Sequence, residues 1–286
     1  MIDRFRHVVR TISAVPASDG AGVRLRRSLG STQYARLDPF LMLDEFYSDD
    51  PDDYLAGFPE HPHRGFQTVT YMLEGHMRHQ DHLGNHGDLG PGGAQWMVAG
   101  RGIVHSEMPQ QSEGRMHGFQ LWINLPRREK LQPASYRDLT PEQVAQHRWR
   151  GGRARVIAGR LPLVDATVCG PVNGDGATTL DPLFADVDLA PDGVLETRLP
   201  PAHAAFAYLY RGAASIGSHS LERASAAILA EGGRLVVRAG SAGARVLLLA
   251  AAPVNEPVVQ YGPFVMNTRA EIEQALADYR DGRLAG

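Results

Sequence analysis

Short runs in which apolar and polar positions alternate with a period of two dominate both halves of the chain, and turn residues interrupt them roughly every ten positions, the pattern of a β-sandwich or barrel. The run FQTVTYMLE (66–74), rich in β-branched and aromatic residues and closed by Gly75, predicts a strand. A polar strand over 76–82, a hairpin loop at Leu83-Gly84-Asn85, and strands at AQWMVAG (94–100), IVHSE (103–107) and HGFQLWINL (117–125) follow. The second half repeats the rhythm in ARVIAG (154–159), LFADVDL (183–189), AAFAYLYRG (204–212), SAAILAEG (225–232), GRLVVRAG (233–240) and ARVLLLAA (244–251). YMLEG (71–75) matches YLYRG (208–212) in residue type, which suggests two units built around the same central strand.

Two helices are predicted from their caps. Thr140-Pro141-Glu142-Gln143 offers a capping hydroxyl, a proline at the first helical position and a glutamine three residues on, predicting a short helix over 141–148 that links two domains. Thr268 and Glu271 form a second capping signature, Ile272, Leu276 and Tyr279 share a face, and Gly282 supplies a stop.

Composition narrows the class of function. A formal charge of −3 with no basic run gives no reason to expect direct nucleic-acid binding. The opening MIDRFRHVVRTISAV is too polar for a signal peptide, and no stretch is apolar enough to span a membrane, so a cytoplasmic, non-membrane protein is expected. The single cysteine, Cys169, cannot form an intramolecular disulfide and has no basic neighbour in sequence that would activate it.

The candidate chemistry lies in two short motifs. In an extended strand, residues i and i+2 face the same way, so His61-Pro62-His63 and His105-Ser106-Glu107 each present two metal-ligand side chains in one direction. Three imidazoles and a carboxylate suit iron, manganese, nickel, copper, cobalt or zinc rather than calcium, and a six-coordinate ion would keep open positions for chemistry. With 12 histidines in 286 residues, chance alone produces roughly 0.5 His-x-His pairs, so spacing by itself is weak. Context adds weight: both pairs fall in predicted strands beside glycine-rich turns.

HPHRGFQTVTYMLEG, LGPGGAQWMVAGRGIVHSEMP and GFQLWINLP, together with DPFLMLDEF (38–46) and YGPFVMNTRAEIEQA (261–275), closely resemble the pirin family of the cupin superfamily over almost the whole chain. The resemblance implies an all-β bicupin: two tandem antiparallel jelly-roll barrels with a C-terminal helix. Residues 1–139 would form a metal-binding barrel, 140–150 a linker helix, 151–267 a barrel without metal ligands, and 268–286 the C-terminal helix and tail. It places the ligands of one metal ion, iron(II) first among the candidates, on His61, His63, His105 and Glu107. Gln67 and Trp96 stand where many cupins carry a ligand, and Arg198 and Pro200 fall opposite His61 and His63 in the second barrel. Several pirins resemble quercetinases, which open the central ring of a flavonol with O2 and release carbon monoxide; in that reading a small planar phenol is the substrate and Glu107 the catalytic base. The rival implication is a non-enzymatic, redox-sensing regulator that binds a transcription or metabolic protein partner. A monomer is expected.

Other residues carry competing readings. His76, His79, His82 and His86 read as solvated surface more readily than as a second metal site, because alternation scatters them over both faces. His117 is a candidate hydrogen-bond partner near the metal, and Arg64 either steers an anionic substrate or forms a structural ion pair. Asp44 and Glu45 face opposite ways and are assigned structural roles. Trp96, Phe119 and Trp122 read as core before they read as walls for an aromatic ligand.

Overall fold

The computed structural model describes residues 4–174 and 179–285. Two compact units emerge, each assembled from three separate stretches of the chain. One comprises Met1–Val15, Ser31–Pro39 and Glu142–Pro253; the other comprises Pro16–Gly30, Phe40–Pro141 and Val254–Gly286. Each is an antiparallel jelly-roll sandwich with open sheets rather than a closed barrel.

The unit that holds the candidate ligands has, among the described residues, sheets of seven and four strands and a two-stranded ribbon of Val259–Tyr261 and Phe264–Met266. The larger runs in the spatial order Ser135–Leu139, Ala94–Val98, Phe66–Glu74, Met116–Asn124, Phe40–Ser48, Val23–Arg27 and Val15–Asp19. The smaller runs Phe58–His63, Ile103–Pro109, Met77–Asp81 and His86–Leu89. Val23, Leu25, Phe46 and Met72 from the first sheet and Phe58, Met77 and Leu89 from the second form one buried cluster, which joins the sheets. In the central strands Phe66–Glu74 and Met116–Asn124, register pairs Thr68 with Trp122 and Thr70 with Gln120 on the face toward the smaller sheet, and Val69 with Leu121 and Tyr71 with Phe119 on the other. Both sets are buried apart from the half-buried Gln120, the inner face carrying the polar Thr68, Thr70 and Gln120 and the other face the apolar Val69, Tyr71, Phe119 and Leu121.

The other unit forms a nine-stranded sheet among the described residues, with Ala204–Ile216 between Ser225–Leu229 and Arg234–Ala251. The paired sequences YMLEG and YLYRG thus occupy the middle strands of their units. Tyr71 and Tyr208 are both fully buried, and Gly75 and Gly212 both take the left-handed backbone (φ 88° and 77°) that a side chain would strain.

Two local expectations need correction. The linker helix over 141–148 does not form: Pro141–Gln143 make a turn, and Ala145–Trp149 is a strand paired with Gly152–Ala158. Helix propensity is a weak prior, and here ladder bonds plus the Trp149 indole, which donates to the Val194 carbonyl at 3.0 Å, outweigh it. The segments 233–240 and 244–251 are one strand, Arg234–Ala251, running through the Gly240-Ser-Ala-Gly243 stretch that reads as a turn.

The C-terminal helix, Arg269–Arg280, starts on Thr268 with both halves of the capping box formed. Its buried face is Ile272 and Ala275, whereas Leu276 and Tyr279 are partly exposed. Arg64 anchors it through an ion pair to Asp278 at 2.7 Å and hydrogen bonds to the Arg101 and Leu284 carbonyls, so this arginine serves the structural role. Beside it, Lys130 is buried and donates to the Gly65 carbonyl (2.7 Å), Asn124 Oδ1 (2.6 Å) and the Val265 carbonyl (2.9 Å). Burial pushes its ammonium down to about 8, with Glu256 and Glu271 opposing the shift. Gly65 has φ 91°, and a Cβ there would overlap the Val265 carbonyl, so the approach that Lys130 bridges requires glycine.

Lys130→Met would strand three buried acceptors. We expect the unit to lose about 2–4 kcal/mol of stability, measured by urea denaturation; a change below about 0.5 kcal/mol would show that the clamp is dispensable.

Candidate metal centre

His61 and His63 lie on Phe58–His63, and His105 lies on the adjacent strand Ile103–Pro109, where it pairs directly with His61. Alternation sends His61 and His63 to one face, and antiparallel register brings His105 beside them. One ring nitrogen from each comes within 4.8 Å of the others.

The hydrogen bonds decide which nitrogens converge. His61 Nδ1 lies 2.8 Å from the Pro59 carbonyl, which can only accept, so the proton belongs on Nδ1 and the Nε2 lone pair is free. His61 Nε2 faces His63 Nε2 at 3.1 Å. That is close to the spacing of about 3.0 Å between adjacent ligands on a six-coordinate ion with metal–nitrogen bonds of about 2.1 Å. His105 Nε2 is buried and meets no partner in the protein. Buried lone pairs converging on one point without donors are the condition a cation satisfies, so these residues fit a metal ion. Electrostatics agrees: burial first, then the neighbouring histidines, holds the protonated forms of His63 and His105 well below the usual imidazole range, with the Pro263 carbonyl weakly opposing for His63. Neutral imidazoles are the ligating species.

Glu107 follows His105 by two residues on the same buried face, but a register shift between them sets it opposite Phe58 rather than Pro59. Its Oε1 accepts from Thr70 Oγ1 and its Oε2 from Gln120 Nε2, both at 2.9 Å. The structure therefore groups three of the four sequence-derived candidates and holds Glu107 in a separate polar clamp beside them.

A cavity of about 610 Å³ opens beside His61 and His63, lined also by Met42, Phe58, Gln120 and Trp122. Trp122 packs edge-on against His63 with ring centres 5.2 Å apart and against Phe66 at 4.3 Å. Arg27 also lines it, bound through Nε and Nη2 to both oxygens of Asp44 and through Nη2 to Asp19. Burial raises Asp44 to about 6 even though Arg27 pulls the other way.

Several candidates fall elsewhere. His117 does not approach the histidine cluster; it pairs with Glu45 at 3.0 Å on the opposite face of the sheet from Gln120. Asp44 and Glu45 thus engage separate partners on opposite faces, Arg27 and His117. Trp96 donates to Gln67 Oε1 at 2.9 Å, pairing the two residues that replace common cupin ligands, while Phe119 is plain core. His76, His82 and His86 are exposed. His79 is not: it is 2% exposed, with Nδ1 at 3.1 Å from His105 Nδ1. The sequence carried a signal for this, since Met77 and His79 share a parity and Met77 is apolar.

Comparison with known proteins settles the family. Its Pirin model matches residues 22–123, and the model of the Pirin C-terminal cupin domain matches residues 184–285. The chain belongs to the pirin family. A Pseudomonas aeruginosa pirin relative that carries the provisional name quercetin 2,3-dioxygenase is 54% identical over 99% of both chains. A pirin-like protein from Caulobacter vibrioides is 46% identical over 97% of this chain and 99% of its own. The crystal structure of a quercetin 2,3-dioxygenase from Acinetobacter baumannii superposes with a TM-score of 0.87 at 29% identity, covering 99% of each chain. No helix of this pirin is long and apolar enough to cross a membrane among the described residues.

His61→Ala, His63→Ala and His105→Ala are each expected to reduce bound metal to a small fraction of the wild-type content, measured by plasma mass spectrometry, whereas the exposed His76→Ala retains it. Wild-type metal content in His105→Ala would argue against the site.

Proposed function

We propose that this pirin is a metal-dependent dioxygenase of the quercetinase type, which opens the central ring of a flavonol with O2 and releases carbon monoxide. The observation that carries the proposal is that two of the three clustered histidines, His61 and His63, line an open cavity. At about 610 Å³ the space falls within the range of about 300–1,000 Å³ typical of small-molecule sites, and a regulator has no need of such access to its metal. The names of the Pseudomonas and Acinetobacter relatives support the same chemistry.

In this reading His61, His63 and His105, with Glu107 as fourth ligand, hold an iron(II) ion, with manganese, nickel, copper, cobalt or zinc as alternatives. The ion, when bound, supplies polarisation of the flavonol oxygens and electron transfer toward O2. The chain's own residues do the rest. A carboxylate has about four lone-pair sites, so the bonds from Thr70 and Gln120 leave Glu107 capacity to accept the 3-hydroxyl proton. Those two donors also fix its orientation while the proton moves. Met42, Phe58 and Trp122 offer apolar walls to a planar phenol and limit water at the reacting edge. An exposed, unpaired Cys169 suits a reducing, cytoplasmic setting.

Metal-loaded protein is expected to bleach the long-wavelength absorbance of quercetin with matching oxygen uptake; if neither occurs with any of the six metals, the proposal fails. Glu107→Gln should lower kcat by about 100-fold or more in the same assay, the scale of a lost general base.

A further inference from the structure

We infer that His79 is a positioning residue of the metal centre: its Nδ1 accepts a hydrogen bond from His105 Nδ1 and so fixes the ring orientation and tautomer in which His105 Nε2 faces the ion. The inference rests on the proposed metal site and adds a residue to it.

His79 lies on Met77–Asp81, the strand flanking Ile103–Pro109 on the side away from His61, and it pairs in register with Glu107. From there its ring reaches diagonally behind His105. The ring centres are 4.9 Å apart and the two Nδ1 atoms 3.1 Å apart, and both residues are 2% exposed, so water does not compete for this contact. Behind His105, away from the converging group, no ion stands between the two nitrogens, so the contact requires one proton and one lone pair, which leaves two arrangements of neutral rings.

If His79 donated, His105 Nδ1 would be the acceptor and the proton of His105 would sit on Nε2. That proton would point at the space shared with His61 and His63 and block ligation. If His105 donates, its Nε2 lone pair is free, His79 Nδ1 accepts, and the proton of His79 sits on its own Nε2. Ligation therefore selects the second arrangement, and His79 does for His105 what the Pro59 carbonyl does for His61. His79 is not itself a member of the converging group; it stands behind His105. Tyr136, with its ring centre 5.2 Å from that of His79, closes the far side and restrains the ring.

Two substitutions separate a hydrogen-bond acceptor from a space-filler. His79→Asn puts an amide oxygen near the place of Nδ1, whereas His79→Phe keeps an aromatic ring and removes the acceptor. Affinity for cobalt(II), measured by competition with a chromophoric chelator on the full chain, is expected to fall about 10–100-fold in His79→Phe and to stay within about threefold of wild type in His79→Asn. Retained affinity in His79→Phe, or equal loss in both variants, overturns the inference. A wild-type chain that binds no cobalt overturns the metal site itself, and this inference with it. A reading that needs no variant to fold is the nitrogen-15 spectrum of the zinc-loaded wild-type protein. His105 should show a protonated Nδ1 and a metal-bound Nε2, and the reverse assignment is incompatible with the proposed role.

Discussion

His61 Nε2 and His63 Nε2 are held 3.1 Å apart beside a third buried nitrogen, and that closeness is a constraint the surrounding structure answers to. Protons on all of them would place like charges together in a medium that solvates charge poorly; lone pairs on all of them repel unless a cation stands between. Each ring is therefore restrained from behind, by the Pro59 carbonyl for His61, by Trp122 and Phe66 for His63, and by His79 for His105. A cluster that would be costly in an empty core becomes a set of prepared ligands because its backing atoms are fixed.

The jelly roll supplies that fixation cheaply. Period-two strands aim alternate side chains into the space between two sheets, so one sheet contributes the imidazoles while the facing one contributes Thr70, Gln120 and Trp122. Beyond the shift of register between His105 and Glu107, the carboxylate is held by hydrogen bonds from Thr70 and Gln120 of the facing sheet.

Much of this was legible in the sequence because strand geometry is local. The pairs His61/His63 and His105/Glu107 were marked by two-residue spacing and singled out by the pirin resemblance, and the strand Phe66–Glu74 and the Thr268 cap were visible through composition and capping chemistry. What escaped depended on partners distant in sequence. His79 looks like one of several histidines in a polar hairpin until the neighbouring strand places it behind His105. The Thr140-Pro141 signal resembles a helix start, and only pairing with Gly152–Ala158 reveals a turn into a strand. His117 sits near the site in sequence, but the parity of its strand turns it to Glu45 on the other face.

The make-up of the ligand-bearing unit bears on when its site can exist. Val254–Gly286 belongs to the same compact unit as His61 and His105, Pro263 lines the cavity, and Arg64 and Lys130 bind Asp278 and Val265. On a ribosome the histidines emerge long before these segments do. The cavity wall therefore cannot be complete until Val254–Gly286 has been made, and the strands that carry the histidines must settle together with a segment about 150 residues downstream.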